Sequence, residues 1–276
     1  MNPCRTIAIA NQKGGVGKTT TALNLGTGLV RQGKKVLLVD ADSQANLTQI
    51  LGWKEPDKLI NTLSLLMKAE ILKEQRNIHA CILQHDEGVD LLPSNIDMSV
   101  MEANLFSMPL GRERILGKVI EPLQREYDYI IIDCSPNLSM MTINALVCAN
   151  SVIVPVQTHY LPTRGLQQLL QTVGDIRDSA NRHLQVEGIL FTMYEQNNIS
   201  KSVVDVVNEA YSGKMKIFDT KIPKSVKAIE AGVVGQSIYE YKSDNPVSLA
   251  YERLVKEVID NERQAKKRND VDRNER

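Results

Sequence analysis

Long apolar runs are missing from this sequence, and so is any overall charge. No apolar stretch approaches the roughly 18 residues that a membrane span needs. The 33 Lys and Arg balance 33 Asp and Glu to a formal net charge of zero. Nothing global therefore attracts a polyanion, and any contact with nucleic acid has to come from a local patch. Aromatic side chains are scarce: with three Phe, one Trp and eight Tyr in 276 residues, the core is expected to be mainly aliphatic. Cys4, Cys81, Cys134 and Cys148 form no C-x-x-C pair and no zinc spacing, so they read as reduced thiols, most of them buried. The N-terminus lacks the charged region, apolar run and small-residue cleavage site of a signal peptide. Together these absences predict a cytoplasmic protein with no membrane partner.

One compact stretch organises what is present: Gln12-Lys13-Gly14-Gly15-Val16-Gly17-Lys18-Thr19-Thr20. Residues 6–11 before it are a short β-type run. Residues 21–32 after it read as a helix with Ala22, Leu23, Leu25, Leu29 and Val30 on its apolar face. Strand, glycine-rich turn and helix form the context of a phosphate-binding loop. Glycines let successive N–H groups curl inward around an anion, and the helix N-terminus adds its positive dipole end. Lys18 is placed to reach the β- and γ-phosphates and the Thr19 hydroxyl to hold Mg²⁺.

Downstream, short strands alternate with longer helical segments. Strands are predicted at 35–40, 88–93, 129–133, 151–157, 186–194 and 216–222. Helices are predicted at 61–69, 97–106, 138–149, 163–179, 200–211, 225–231 and 246–261, and 112–126 is amphipathic through Ile115, Leu116, Val119, Ile120 and Leu123. This alternation implies βαβ units, right-handed crossovers and a mostly parallel sheet. No repeat or linker interrupts it, so residues 1–261 read as one domain. Residues 262–276, polar throughout, read as a flexible tail. The stretch 53–86 is mixed and says little.

Phosphoryl transfer needs carboxylates for the metal and the attacking water. In an open α/β sheet they belong at the C-terminal ends of strands. Asp133, closing Tyr129-Ile130-Ile131-Ile132, meets that geometry, although a strand-terminal Asp can equally cap a turn before Ser135-Pro136. Asp40-Ala41-Asp42-Ser43-Gln44-Ala45-Asn46 is the second such place.

The loop departs from the general G-x-x-x-x-G-K-[ST] pattern, since Gln12 stands where the first glycine belongs and Lys13 follows it. This arrangement resembles the deviant P-loop of the ParA/MinD ATPase superfamily. Asp40 to Asn46 is similar to that family's D-x-D-P-Q-x-N box, with Ser43 in place of Pro and Ala45 where Gly is common. Tyr127-Asp128-Tyr129-Ile130-Ile131-Ile132-Asp133-Cys134-Ser135-Pro136 followed by Thr142-Ile143-Asn144-Ala145-Leu146 is similar to its YDYIIIDCPP…TINAL segment. Val154-Pro155-Val156-Gln157 and Gly165-Leu166 resemble the next strand and helix, with His159 and Arg164 at two usually acidic positions. Lys221-Ile222-Pro223-Lys224-Ser225-Val226 resembles its IPR-x-V segment.

The resemblance implies a three-layer P-loop NTPase fold, with helices on both faces of the sheet. It implies ATP and Mg²⁺ as cofactors and an ATP-sandwich homodimer. Lys13, a solvated loop residue on its own evidence, is implied to reach the nucleotide of the other subunit. Lys13, Lys18 and Asp42 are the implied catalytic residues, with Asp42 orienting the hydrolytic water. Lys13, Gly14, Gly15, Val16, Gly17, Lys18, Thr19, Thr20 and Pro223 are the implied nucleotide contacts. Thr19, Asp40 and Asp133 are the implied metal residues. Members of this kind bind DNA without sequence preference through a basic C-terminal face, for which Lys201, Lys224 and Lys227 are candidates, with Arg164 and Lys242 as further ones. A ParB-like centromere-binding protein stimulates hydrolysis, and the ATPase segregates plasmids, chromosomes or mobile elements while associated with the nucleoid. Only eleven residues precede the loop, too few for a helix-turn-helix, so sequence-specific autorepression is not expected.

A membrane-positioning ATPase of the MinD type, or one positioning another cargo, is the alternative. The MinD type needs an amphipathic C-terminal helix, but Val271 is the only aliphatic residue larger than Ala after position 261. An iron–sulfur carrier needs a second cluster cysteine in a glycine-rich segment, which Cys81 does not provide. A tyrosine autokinase needs a terminal tyrosine cluster, and there is none.

Overall fold

The computed structural model describes residues 4–159 and 164–274, and their side chains apart from those of 164 and 264–274. In chain order the elements are β1 (Arg5–Ile9), α1 (Lys18–Val30), β2 (Val36–Ala41), α2 (Asn46–Ile50), α3 (Leu63–Leu72), β3 (Leu83–Gln84), β4 (Asp90–Leu92), α4 (Asp97–Ser107), α5 (Ile115–Ile120) and β5 (Tyr129–Cys134). They continue with α6 (Met140–Cys148), β6 (Ser151–Gln157), α7 (Arg164–Ser179), β7 (Gln185–Tyr194), α8 (Asn198–Tyr211), β8 (Ile217–Pro223), α9 (Val226–Val234), α10 (Ile238–Tyr241) and α11 (Pro246–Asn274).

The strands form one sheet in the order β3-β4-β2-β5-β1-β6-β7-β8. Every pairing is parallel except the edge pair of β3 and β4. Side-chain alternation along each central strand sorts the core into two layers. Ala8, Leu37, Val39, Ile130 and Ile132 pack on the face covered by α3 to α8. Ile7, Ile9, Leu38, Ile131 and Ile153 pack on the face covered by α1, α10 and α11. Both faces are buried, which is why these strands read as unbroken apolar runs rather than alternating ones. The same parity assigns Asp40, two residues after Leu38, and Asp133, two after Ile131, to the α1 side.

The predicted mostly parallel sheet with helices on both faces is present. Three stretches hold structure that the sequence reading did not specify. Residues 112–126 are not one helix: α5 is flanked by 3₁₀ turns at Arg112–Arg114 and Glu121–Arg125, the second with Pro122 at its start. Proline cannot donate the backbone bond that a continuing helix requires. Its predicted apolar face is nonetheless buried. The stretch 53–86 hides the antiparallel edge strand β3, too short to show a period. Residues 262–274, read as a flexible tail, continue α11 as helical backbone to Asn274. Neither Gly nor Pro interrupts that stretch, and Glu262 accepts a hydrogen bond from the Tyr129 hydroxyl at its start.

Candidate active site

The turn from β1 to α1 is fastened by three hydrogen bonds, two of them to neighbouring strands. Asn11, buried, donates its side-chain amide to the Pro155 carbonyl at 2.6 Å and accepts the Lys13 N–H at 3.0 Å. From β7, the Thr192 hydroxyl donates to the Val16 carbonyl at 2.8 Å. Gly15 (φ 70°) and Gly17 (φ 83°) take left-handed conformations that would strain a residue bearing a Cβ. Gly17 is the N-cap of α1 and supplies no side-chain cap. The first intrahelical bond is donated by Thr21 to the Gly17 carbonyl, so the Lys18, Thr19 and Thr20 amides precede the hydrogen-bonded ladder, as at an anion site.

Lys18 is buried and its ammonium donates to the Lys13 carbonyl at 3.1 Å, spanning the loop. Burial lowers its pKa, against the opposing pull of Asp133, Cys134 and Asp42. Lys13 is exposed on the rim, with its backbone held at both ends by Asn11 and Lys18.

Parallel pairing sets the acids side by side. Asp133 is in register with Ile9 on one side and Asp40 on the other, so the three strand ends meet beneath the loop. Asp133 is buried, and one carboxylate oxygen (Oδ1) has no hydrogen-bond partner. Burial first, then the neighbouring Asp40 charge, raises its pKa well above the carboxylate range, while a hydrogen bond from Thr19 and the charge of Lys18 oppose the rise. Asp40 differs in being fully partnered. Its Oδ1 accepts the Asp42 N–H at 3.2 Å, and its Oδ2 accepts the Thr48 N–H at 2.8 Å and the Thr48 hydroxyl at 2.7 Å. Burial nevertheless raises it to about 6. Asp42, nearly buried, turns one oxygen to the Gln44 N–H at 3.0 Å.

The donor set fits a polyphosphate with magnesium. A buried cation and open amides face the loop, and beside them the Thr19 hydroxyl meets a carboxylate with an unused oxygen. Magnesium takes one or two carboxylates plus phosphate oxygens and water, not an all-protein cage. No group of three or more His, Cys, Asp or Glu among the described residues is arranged to hold a metal by itself. Cys134 lies in the opposite core layer from Asp133, its thiol pushed up mainly by burial.

Other predicted residues lie outside this cluster. Pro223 ends β8 opposite Tyr194, two residues beyond Thr192, and lines an open depression with Lys221, Pro246 and Arg253. Thr20 instead opens onto a groove with Asn24, Gln49, Ile229 and Val233. Lys224 is ion-paired to Glu195 at 3.3 Å and Lys227 to Glu230 at 2.7 Å. Lys201 and Lys242 are exposed, and the Arg164 side chain lies outside those described. His159, read as a surface or loop histidine, pairs with the other Glu195 oxygen at 2.7 Å. Sequence reasoning missed Asn11, Thr48 and Thr192. Only Asn11, polar at the end of an apolar strand, carried a local signal.

A family model described as an AAA domain matches residues 4–186. The chain is 39 % identical over 259 residues to the sporulation initiation inhibitor protein Soj of Bacillus subtilis, covering 93 % of this chain and 99 % of Soj. It is 37 % identical over 265 residues to the chromosome partitioning protein ParA of Caulobacter vibrioides, covering 95 % and 96 % of the two chains. Among solved structures, the cobyrinic acid a,c-diamide synthase of Mycobacterium smegmatis with bound ATP analogue and magnesium has a TM-score of 0.79 at 35 % identity. That match covers 92 % of this chain and 93 % of the other.

Proposed function

We propose, on the premise that this chain belongs to the AAA-domain family and within it to the ParA/Soj-type partition ATPases, that it hydrolyses ATP to switch between a monomer and a DNA-binding dimer. The observation that carries the ATPase reading is the buried Asp133 carboxylate beside Thr19 and Lys18, with one oxygen unpartnered. A buried carboxylate held at such a cost is expected where charge is to be neutralised by a ligand.

In this reading the loop amides from Gly14 to Thr20 and the Lys18 ammonium bind the phosphates, and the base lies toward Pro223. Thr19 and Asp133 hold Mg²⁺, with Asp40 behind them. Magnesium, when bound, offsets charge on the phosphate oxygens. Asp42 orients the attacking water. Lys13, on the exposed rim, reaches the nucleotide of a second subunit, which makes ATP the condition for dimerisation.

DNA binding follows from doubling. A chain with no net charge holds a polyanion weakly, whereas a dimer presents two local patches at once. Lys201, Lys224 and Lys227 are the contributors we assign, with Lys242 nearby. The carboxylates on Lys224 and Lys227 are solvent-accessible partners that phosphates can replace. A ParB-like protein stimulates hydrolysis and resets the cycle, and the ATP form associates with the nucleoid.

The test compares wild type and Lys13→Ala for ATP affinity, dimerisation and binding to a random-sequence duplex across a salt series. Wild type should bind DNA with ATP but not with ADP, with affinity falling steeply as salt rises. Lys13→Ala should retain ATP binding and lose dimerisation, DNA binding and hydrolysis. Equal DNA affinity with ATP and ADP overturns the switch, and an ATP-dependent Lys13→Ala dimer overturns the role of Lys13.

A further inference from the structure

We propose that Thr48 is a positioning residue that holds Asp42 in place through Asp40. The inference rests on the reading of Asp42 as the residue that orients water.

Thr48 and Ser94 are both fully buried. The Thr48 hydroxyl works in two directions: it donates to Asp40 Oδ2 at 2.7 Å and accepts the Ser94 N–H at 3.1 Å. Its own N–H donates to the same Asp40 oxygen at 2.8 Å. The other Asp40 oxygen accepts the Asp42 N–H at 3.2 Å. Asp42 then closes the turn with its side chain on the Gln44 N–H at 3.0 Å and its carbonyl on the Ala45 N–H at 2.9 Å. Ala45, the N-cap of α2, sits at φ 50°, a left-handed conformation disfavoured for a residue with a Cβ.

The chain from Asp40 to Thr48 is thus a ring of hydrogen bonds around a disfavoured turn, and Asp42 is its apex. A conformation of that kind persists only where its surroundings over-determine it. Asp40 supplies that constraint from inside the ring and Thr48 from the α2 side. The Ser94 amide ties Thr48 to the segment leading from β4 into α4. All three donors to Asp40 come from this ring, whereas Asp133 keeps an oxygen unused. The two buried acids therefore divide the work: Asp133 faces the ligand and Asp40 fixes the geometry of Asp42. Thr48 touches no reacting atom.

The test uses Thr48→Val, which keeps the shape and the backbone bond but removes the hydroxyl as both donor and acceptor, alongside Thr48→Ser and Asp42→Ala. The readouts are ATP affinity at equilibrium and the single-turnover hydrolysis rate. A misplacement near 1 Å can cost on the order of 10²-fold in rate. Thr48→Val should therefore lose about tenfold or more in hydrolysis with ATP affinity within about twofold, and Thr48→Ser should restore most of the rate. If Thr48→Val does not fold, Thr48→Ala removes the same two bonds without a clash and is read by the same criteria. A rate for the hydroxyl-less variant within about twofold of wild type, an equal loss in Thr48→Ser, or a matching loss of ATP affinity overturns the proposal. Asp42→Ala separates the two failures. If it hydrolyses ATP normally, the reading of Asp42 falls and Thr48 with it; if it is inactive while Thr48→Val is normal, only the Thr48 inference falls.

Discussion

The two ends of one sheet edge treat charge in opposite ways. Where β1, β2 and β5 finish, Lys18, Asp40 and Asp133 are buried, and the carboxylates push on each other across adjacent strands. Where β7 and β8 finish, Lys224 and Lys227 stand in solvent and settle against Glu195 and Glu230. Burial makes each charge at the first place costly and therefore selective for a ligand, whereas water makes each charge at the second weak and exchangeable. A site that must hold one polyphosphate in one geometry uses the first arrangement. The surface we propose for a duplex of any sequence has the second.

The largest effect should come from Lys18. In Lys18→Ala, charge-assisted bonds worth about 1.5–3 kcal/mol each are lost. ATP affinity measured by calorimetry should drop about 10- to 100-fold or more, with no measurable turnover; normal turnover would break the contrast at its strong end.

Asp133→Asn sharpens it. Turnover should vanish, yet the nucleotide-free variant should melt higher than wild type at pH 7.5, by on the order of 1–3 kcal/mol of stability, because an ionisable carboxyl that burial and Asp40 disfavour in its charged form is replaced by a neutral amide. The sign follows from the raised pKa: folding favours the protonated acid, so the stability it contributes is present at low pH and lost as pH rises through the folded value. Asp40, at about 6, obeys the same sign. Wild-type protein without nucleotide should therefore gain melting temperature on going from pH 7.5 to 5, and Asp133→Asn should gain less. A variant that melts lower than wild type at pH 7.5 contradicts this account.

The smallest effect belongs to the exposed end. Lys224→Ala and Lys227→Ala should leave melting temperature and ATP affinity unchanged. Each should weaken DNA binding modestly and lower the salt slope by about one. A loss of ATP hydrolysis in either would join the two ends and dissolve the distinction.

How much of this was legible in the sequence depended on whether the interaction was local. The loop from Lys13 to Thr20 and the acid at 133 could be read because strand, glycines, lysine and helix follow one another along the chain. The short α2 could not: its five residues carry no period, and Ser43 and Ala45 disguise the turn before it. Thr48 and Thr192 were invisible for a different reason. Each acts through a partner brought close only by folding: Thr48 on Asp40 across a turn, and Thr192 on Val16 from 176 positions away. The opposing pairing of Lys224 with a glutamate at 195 was likewise unreadable, so the lysine looked more available in the sequence than it is in the fold.

The bond from Lys18 to the Lys13 carbonyl has one more consequence. The loop keeps its own occupant, an ammonium tethered to the carbonyl of Lys13 on its rim. The turn is therefore held from inside by its own cation, so Lys18→Ala removes a tether of the loop backbone as well as a charge.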